Sequence, residues 1–233
     1  MEKAYKNLSL FFIALLLLVI WGFYRTYFNL FPLFTGIQTV QHFHGIMMLS
    51  WFAMLIIQPL LIRYEKFALH RKLGALSYII IPLLLLSIFL VARMGFYRDA
   101  ARFTKEQNIG SLALNIPGLV FFGALYILAM VNKKNTAYHM RYMIGTSTLM
   151  LGPGIGRAFI VYGGMSFQHG VDWALLCTDL LVVALVVYDL IKKNPLKPYL
   201  ITLGFVLIMH LAWTYQMSAL WQAIGGKFAA WFF

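Results

Sequence analysis

The sequence predicts an all-α polytopic membrane protein with seven transmembrane helices, and composition and hydropathy support that fold class. The 233 residues are 62% hydrophobic and only 11% charged, with a mean hydropathy of +0.79. A soluble domain has about a quarter of its residues charged. The apolar runs are long enough to cross a bilayer as helices. They lack the alternation of barrel strands, so helices are the remaining way to satisfy the backbone in hydrocarbon.

We place the seven spans in a single integral membrane bundle that covers residues 1–233. The first run could be read as a cleaved signal peptide. However, Trp21, Phe23 and Tyr24 stand where a small-residue cleavage site would be, and aromatic residues are typical of the membrane interface. We therefore expect the first span to be retained. The spans are at about residues 8–24, 43–62, 73–92, 110–131, 140–162, 171–191 and 198–221.

Basic residues predict the orientation of these spans. Most of the 19 Lys and Arg residues lie at the N-terminus and in the second, fourth and sixth connections, and we assign Arg141 to this group. The positive-inside rule then places the N-terminus inside and the C-terminus outside. The net charge of +12 follows from these short loops, so we expect no nucleic-acid partner. The expected setting is a bacterial inner membrane, with the lipid bilayer as partner and other membrane subunits as further candidates.

Polar and Met-rich stripes occupy one face of four of the spans. At 3.6 residues per turn, these positions recur on one side of each helix. We expect the stripes to face a shared interior site, whereas ordinary packing by hydroxyls and methionines is the alternative for Thr146, Met143 and Met150. The stripe residues are, in the second span, His44, Met48, Trp51, Leu55 and Gln58; in the fifth, His139, Met143, Thr146, Met150, Pro153 and Arg157; in the sixth, His169, Asp172 and Asp179; and in the seventh, His210, Trp213, Thr214, Met217 and Trp221.

Two ionisable residues, Asp179 and His210, fall near the middle of their spans. An ionisable group costs several kcal/mol at that depth and usually marks a functional path or a cofactor. We expect both side chains to face the interior, within reach of each other or of Arg157. Arg157 follows the stretch "LGPGIGR", in which Pro153 and its flanking glycines predict a bend or packing against a neighbour. It needs an anionic partner, with Asp172 or Asp179 as candidates.

The outer histidines form the predicted metal site. His44 and His169, with His42 as a third candidate, are expected to converge at the outer surface, with Asp172 behind them. Imidazole is a ligand of zinc, copper, iron and haem iron. The alternative is that these histidines only cap helices or bond to loops. His42 and His44 point about 160° apart on a helix, so they share a site only if the helix begins between them.

The inner histidines, His70 and His139, lie at span entrances and each has a basic neighbour. A contact with lipid phosphate or a loop carbonyl is the favoured interpretation of both. They could also form a second, inner pair of ligands.

Two resemblances rest on motifs in the sequence. The chain resembles uncharacterised seven-span bacterial membrane proteins. The resemblance rests on "HFHG", "HRKLG" and "HMRYM", together with Trp51, Gln58 and "LGPGIGR". The shorter stretch "HGIMMLSWFAMLIIQPLLIRY" is similar to the ascorbate-reducible cytochrome b and ferric reductase class. That likeness implies an outer haem between His44 and His169 and an inner haem between His70 and His139. In that class the histidines lie inside spans, whereas His70 and His139 stand at span entrances.

Three functions follow as expectations. The first is a redox protein that transfers electrons through a histidine-ligated haem or a copper, iron or zinc ion. The second is a proton-coupled transporter or channel that uses Asp179, His210 and Arg157. The third is a subunit or assembly factor of a membrane complex. The chain contains no phosphate loop or H-E-x-x-H motif, and no catalytic residue is assigned.

Overall fold

The computed structural model describes residues 6–233, and within that range the protein is helical without β-strands. The all-α prediction is confirmed. A short 3-10 helix, Phe28–Leu30, lies between α1 and α2. The α-helices are α1 Leu8–Phe23, α2 Thr39–Arg63, α3 Phe67–Gly74, α4 Ser77–Asp99, α5 Lys105–Val131, α6 Thr136–Leu149, α7 Gly152–Gly163, α8 Phe167–Ile191, α9 Lys197–Thr214 and α10 Ala219–Phe232.

Six helical stretches of the described chain are long and apolar enough to cross a membrane. Two of them, Phe67–Asp99 and Thr136–Gly163, each join two of the helices named above. The first predicted span is the shorter apolar helix α1, with 16 residues. The protein is therefore a polytopic helical membrane protein, as its composition predicts.

The predicted seventh span, 198–221, is wrong at its C-terminal end. Helix α9 ends at Thr214, and α10 begins after Ser218, whose hydroxyl accepts a hydrogen bond from the Trp221 amide. A serine at this position satisfies an amide in the first turn and so favours a new helix start. Hydropathy continues across the break, which is why the sequence pattern did not show it. With 14 residues, α10 is too short to cross a bilayer.

The chain divides into two compact units, and the first contains the described residues up to Ser87 together with Met150–Ala174. In this unit α1 packs against α2 and α7. The contact with α7 is close because it is made by glycines. A Cβ atom on Gly154 would lie 2.9 Å from the Cα of Val19, and a Cβ on Gly22 would overlap the Gly154 carbonyl. Glycine is therefore required for the two backbones to approach.

The predicted interruption at "LGPGIGR" is present in the structure. Helix α6 ends at Leu149, and α7 begins at Gly152 with Pro153 in its first turn. Proline suits that position because its missing N–H has no helical partner there. The glycines also pack closely, since a Cβ on Gly156 would lie 3.4 Å from the Gly170 carbonyl. Both interpretations of this stretch therefore hold.

The second unit contains Ile88–Leu149 and Leu175–Phe233. Its central helix is α5, which packs against α6, α9 and α10. Leu125, Ala129 and Tyr142 form a fully buried core cluster, and the rings of Phe121 and Phe205 stack with centroids 4.4 Å apart.

Helix α10 lies beside the N-terminal half of α5 and the C-terminal half of α4. The indole nitrogen of Trp221 donates to the Ile109 carbonyl at 3.3 Å. Further along α10, the ring of Phe228 lies 6.5 Å from that of Phe89, and the ring of Phe233 lies 5.3 Å from that of Phe96. The helix therefore contacts the same halves of α4 and α5 from its first turn to its end.

Candidate functional site

One face of α8 carries the buried polar groups of this helix. Asp179 and Asp189 are both buried. They are ten residues apart, which corresponds to about 15 Å along the axis and about 80° around it. Val182 lies between them on the same side and is fully buried, whereas Leu180 and Val183 are exposed. The face that is turned into the second unit is thus apolar at its centre and acidic at both ends.

Asp179 makes a direct contact with His210 of α9. The Nδ1 atom of His210 lies 2.5 Å from Oδ2 of Asp179. An ionised carboxylate can only accept, so Nδ1 of His210 is the donor in this contact. The side chain of Asp179 is 10% exposed and that of His210 is 30% exposed. The expected contact between the two mid-span residues is present, with the carboxylate more deeply placed than the imidazole.

The second carboxylate oxygen of Asp179 has no hydrogen-bond partner in the part of the chain that the structure describes. Oδ1 is buried and accepts no hydrogen bond from any group in residues 6–233. A buried carboxylate oxygen without a donor is costly, and such atoms usually have a functional or solvent-related explanation. Asp179 is thus a half-satisfied carboxylate in the middle of a long apolar helix.

A second buried pair, Arg141 with Asp189, lies near the other end of the α8 face and was not predicted from the sequence. The Nε atom of Arg141 donates to Oδ2 of Asp189 at 2.5 Å, and Nη2 donates to Oδ1 at 3.0 Å. Both side chains are 0% exposed. Arg141 also donates to the Ala137 carbonyl at 3.0 Å, and Asn194 donates to Oδ1 of Asp189 at 2.8 Å. Asp189 therefore accepts from donor groups on two different parts of the chain.

Arg141, which was counted among the basic residues of the predicted inner side, is a buried residue of the second unit. Its guanidinium is buried beside the ring of Tyr199, 6.0 Å from the ring centroid, instead of projecting to the surface. Basic residues are expected at a helix entry for topological reasons alone, and that expectation concealed the pairing. The available signal was Asp189 itself, an acid within an apolar span that requires a cation or donor nearby.

The outer histidines His42 and His44 have different neighbours in the first unit. Helix α2 begins at Thr39, before both residues, so the condition for a shared site is not met and the rings diverge. Nδ1 of His42 lies 2.7 Å from the phenol oxygen of Tyr27. Burial raises the pKa of the Tyr27 phenol above its usual value. The Phe34 ring packs edge-on against His42, with centroids 4.8 Å apart.

His44 has a defined tautomer. Its Nδ1 lies 3.0 Å from the hydroxyl oxygen of Ser87, and that hydroxyl donates its single hydrogen to the Leu84 carbonyl at 2.7 Å. Because the serine hydrogen is already used, Nδ1 of His44 must be the donor. The neutral ring then presents Nε2 with its lone pair, which is the form that binds metal or haem iron.

The remaining outer residues stand at the start of α8 and on α7. His169 is exposed, and its backbone amide donates to the Ser166 hydroxyl. Asp172 accepts a hydrogen bond from Gln168 at 3.3 Å. Arg157 is exposed, with its guanidinium 4.6 Å from the centroid of Phe23. The convergence of His44, His169 and Asp172 stays a prediction.

The inner histidines bond to neighbouring helices. Nδ1 of His139 donates to the Ala129 carbonyl of α5 at 2.8 Å, since a carbonyl oxygen can only accept. His70 lies on α3, next to the side-chain amide of Gln58. The orientation of this amide that satisfies both of its atoms has its nitrogen donating to Nδ1 of His70. The same glutamine accepts from the Gly74 amide at 3.1 Å, so α2 and α3 are joined through one side chain.

The arrangement of possible ligand side chains in residues 6–233 limits the kind of metal site that they can form. No three or more His, Cys, Asp or Glu side chains in this range come together to hold a metal ion. A site built like a structural zinc centre, with three or four protein ligands, therefore finds no support among these residues. A haem needs at most two axial ligands, so this limit does not apply to it.

Comparison of the chain with protein-family models, with curated protein sequences and with solved structures finds no match. The functional assignment therefore rests on the arrangement of the side chains.

Proposed function

We propose that this protein is a proton-coupled membrane transporter in which the Asp179–His210 pair binds and releases the proton. The observation that supports this is a buried aspartate whose Oδ1 has no hydrogen-bond partner among residues 6–233 and whose other oxygen contacts a histidine at 2.5 Å. Ionisable residues at mid-span commonly form proton relays in transporters. A purely structural role would leave a buried acceptor unsatisfied for no gain.

The chemistry is a reversible protonation. In its basic form the pair consists of an ionised Asp179 and a neutral His210, with a net charge of −1. One proton from water on one side of the membrane binds at the carboxylate or at the imidazole and makes the pair neutral. Release of the same proton to water on the other side restores the basic form. No electron moves, and neutralisation lowers the cost of holding the pair in a low-dielectric environment.

Infrared difference spectroscopy on the purified protein in lipid vesicles tests this function without knowledge of the transported solute. A change of pH should produce the C=O band of a protonated carboxylic acid. The band should be absent in Asp179→Asn and displaced in His210→Gln. Asp172→Asn is the matched control, since Asp172 is on the same helix near its start, and it should keep the band. An unchanged pH response in Asp179→Asn would rule out Asp179 as the proton acceptor.

The proposed topology has seven crossings, with the N-terminus inside and the C-terminus outside a bacterial cytoplasmic membrane. Support comes from the basic connections, which favour the inner side, and from α10. Because α10 packs along the C-terminal half of α4 and the N-terminal half of α5, it stays at the membrane side where these two helices connect. A reporter fused after Phe233 should be active only in its periplasmic form, and activity of a cytoplasmic reporter would overturn this topology.

A histidine-ligated haem or metal ion with an electron-transfer role is the second candidate. The observation that favours it is the tautomer of His44, whose Nδ1–H is held by Ser87 and whose Nε2 keeps a lone pair. A hydrogen bond of this kind orients a ligating histidine and raises its basicity. A bound haem would supply one-electron chemistry; the residues of this chain would orient it through His44 and His169.

An absorption spectrum with metal analysis tests the second candidate. His44→Ala or His169→Ala should each abolish the bound cofactor, and His42→Ala should weaken it less because His42 bonds to Tyr27 instead. Ser87→Ala removes the hydroxyl that accepts from His44 and donates to the Leu84 carbonyl, keeps His44 itself, and should shift the spectrum without loss of the cofactor. Equal metal and haem content in wild type, His44→Ala and His169→Ala would exclude this role.

A further inference from the structure

We infer that the Arg141–Asp189 pair is the inner gate of the proton path that begins at Asp179 and His210. This inference rests on the proposed proton-transfer function and adds a device that controls access to the site. It concerns residues that the sequence patterns did not associate with one another.

The position of the pair is the first argument. Asp179, Val182 and Asp189 share the buried face of α8, so a proton that leaves Asp179 along this face reaches Asp189 after about 15 Å. Beyond Asp189 the chain carries Lys192 and Lys193, which belong to the basic side of the membrane. The pair therefore lies between the proton-binding carboxylate and that surface.

The saturation of the pair is the second argument. Both side chains are 0% exposed, and Asp189 accepts from Arg141 through both oxygens and from Asn194. Arginine stays protonated in proteins, so its guanidinium cannot accept a proton from the path. The pair as a whole carries no net charge, and both oxygens of Asp189 already accept hydrogen bonds from Arg141. As long as the pair is closed, this end of the path is blocked.

The elements that the pair joins are the third argument. Arg141 is on α6, Asp189 is near the end of α8, and Asn194 is in the connection to α9, the helix that carries His210. Opening the pair would release the end of α8 from α6 and from this connection together. Helix α8 also carries Asp179, and the connection that contains Asn194 leads directly into α9, which carries His210. A movement at the gate can therefore reach both members of the proton-binding pair.

The experiment measures access to the apolar segment between the two acids. In a Cys177→Ser background, which removes the single native cysteine, Val182→Cys places a thiol on the buried face. Membrane-impermeant maleimide is added to vesicles of each orientation. With the pair intact, labelling from the side that carries Lys192 should be slow. With Arg141→Gln and Asp189→Asn together, labelling from that side should rise by about tenfold or more, the factor expected if opening becomes easier by about 1.4 kcal/mol.

Two controls distinguish a gate from loosening of the whole fold. Arg98→Gln with Asp99→Asn makes the same chemical change in a pair whose arginine is 57% exposed, and it should leave labelling of the introduced thiol unchanged. Asn194→Ala removes one donor to Asp189, keeps both charges, and should raise labelling from the Lys192 side by a smaller factor. It also serves as the test if the double variant fails to fold.

The outcomes separate the gate from the proposed function. Unchanged labelling in the folded double variant and in Asn194→Ala would overturn the gate, and so would an equal rise from both sides of the membrane. The infrared band of Asp179 reports the proton-binding function independently. Loss of the labelling effect with the Asp179 band retained would remove the gate alone, whereas absence of the band would remove the proton-binding function whatever the labelling shows.

Discussion

Asp179 and Asp189 are two buried acids on one face of α8, but their surroundings differ sharply. Asp189 accepts from Arg141 with both oxygens and also from Asn194. Asp179 has one partner, His210, and its Oδ1 has none among the described residues. A buried charge is tolerated when it is paired and hydrogen-bonded. The first environment is therefore suited to a permanent charge, whereas the second leaves one carboxylate oxygen unsatisfied, which is the feature on which the proposed proton-binding role rests.

The difference also separates stability from function. A saturated ion pair loses much when one partner is removed, because the remaining charge stays buried. A half-satisfied carboxylate loses less, since its burial was already unfavourable. Variants of Asp189 should therefore lose more stability than variants of Asp179. Variants of Asp179 should instead lose the proposed proton binding.

The largest expected effect is that of Asp189→Ala. The substitution leaves the Arg141 guanidinium buried without its carboxylate, and removal of one partner from a buried pair costs about 3–5 kcal/mol. Thermal unfolding in detergent should show a strongly lowered midpoint or little folded protein. Asp99→Ala is the matched control at a more exposed pair, for which a loss below about 1 kcal/mol is expected. Equal losses in the two variants would contradict the burial argument.

Replacement of both partners should be much less harmful than loss of one. Arg141→Met combined with Asp189→Leu fills the same space with apolar groups, and such replacements of buried pairs range from neutral to about 1–4 kcal/mol stabilising. The double variant should unfold at a higher temperature than Asp189→Ala. A double variant as unstable as the single variant would mean that other contacts of these side chains dominate.

Asp179→Asn should reduce stability less than Asp189→Asn. The amide keeps the shape of the side chain and can still bond to His210, so the expected loss is of the order of one hydrogen bond to a charged group, about 1.5–3 kcal/mol or less. Comparison of unfolding midpoints for the two Asp→Asn variants measures the difference directly. If Asp179→Asn were the more damaging of the two, Asp179 would be the structural acid and the comparison would be reversed.

The smallest effect is expected for Asn194→Ala. It removes a single neutral donor at 2.8 Å, while Arg141 keeps its contacts with Asp189, and a typical loss is about 0.5–1.5 kcal/mol. The unfolding midpoint should fall slightly. Asn132→Ala is a matched control, because Asn132 donates to a backbone carbonyl in its own helix and not to an acid. A loss of stability larger than that of Asp179→Asn would indicate that Asn194 also stabilises groups other than Asp189.

Local sequence features predicted the fold class and the mid-span pair. Hydropathy and the absence of strand alternation lead to helices because lipid offers no hydrogen bonds to the backbone, whatever the helices then contact. Asp179 and His210 stand out for a similar reason, since an ionisable group at that depth is costly in any arrangement. The break at Pro153 is also local, because proline lacks the amide that a helix interior uses.

Only the tertiary structure decided which polar groups are partners. Arg141 and Asp189 are separated by 48 residues. The positive-inside rule already explains an arginine at this position, so the sequence pattern did not indicate that it pairs with Asp189. Likewise, His42 and His44 lie on one helix. Their hydrogen-bond partners, Tyr27 and Ser87, come from other parts of the chain. Periodicity fixes the direction of a side chain relative to its own helix. The group that it meets depends on how distant helices pack, and that information is not local.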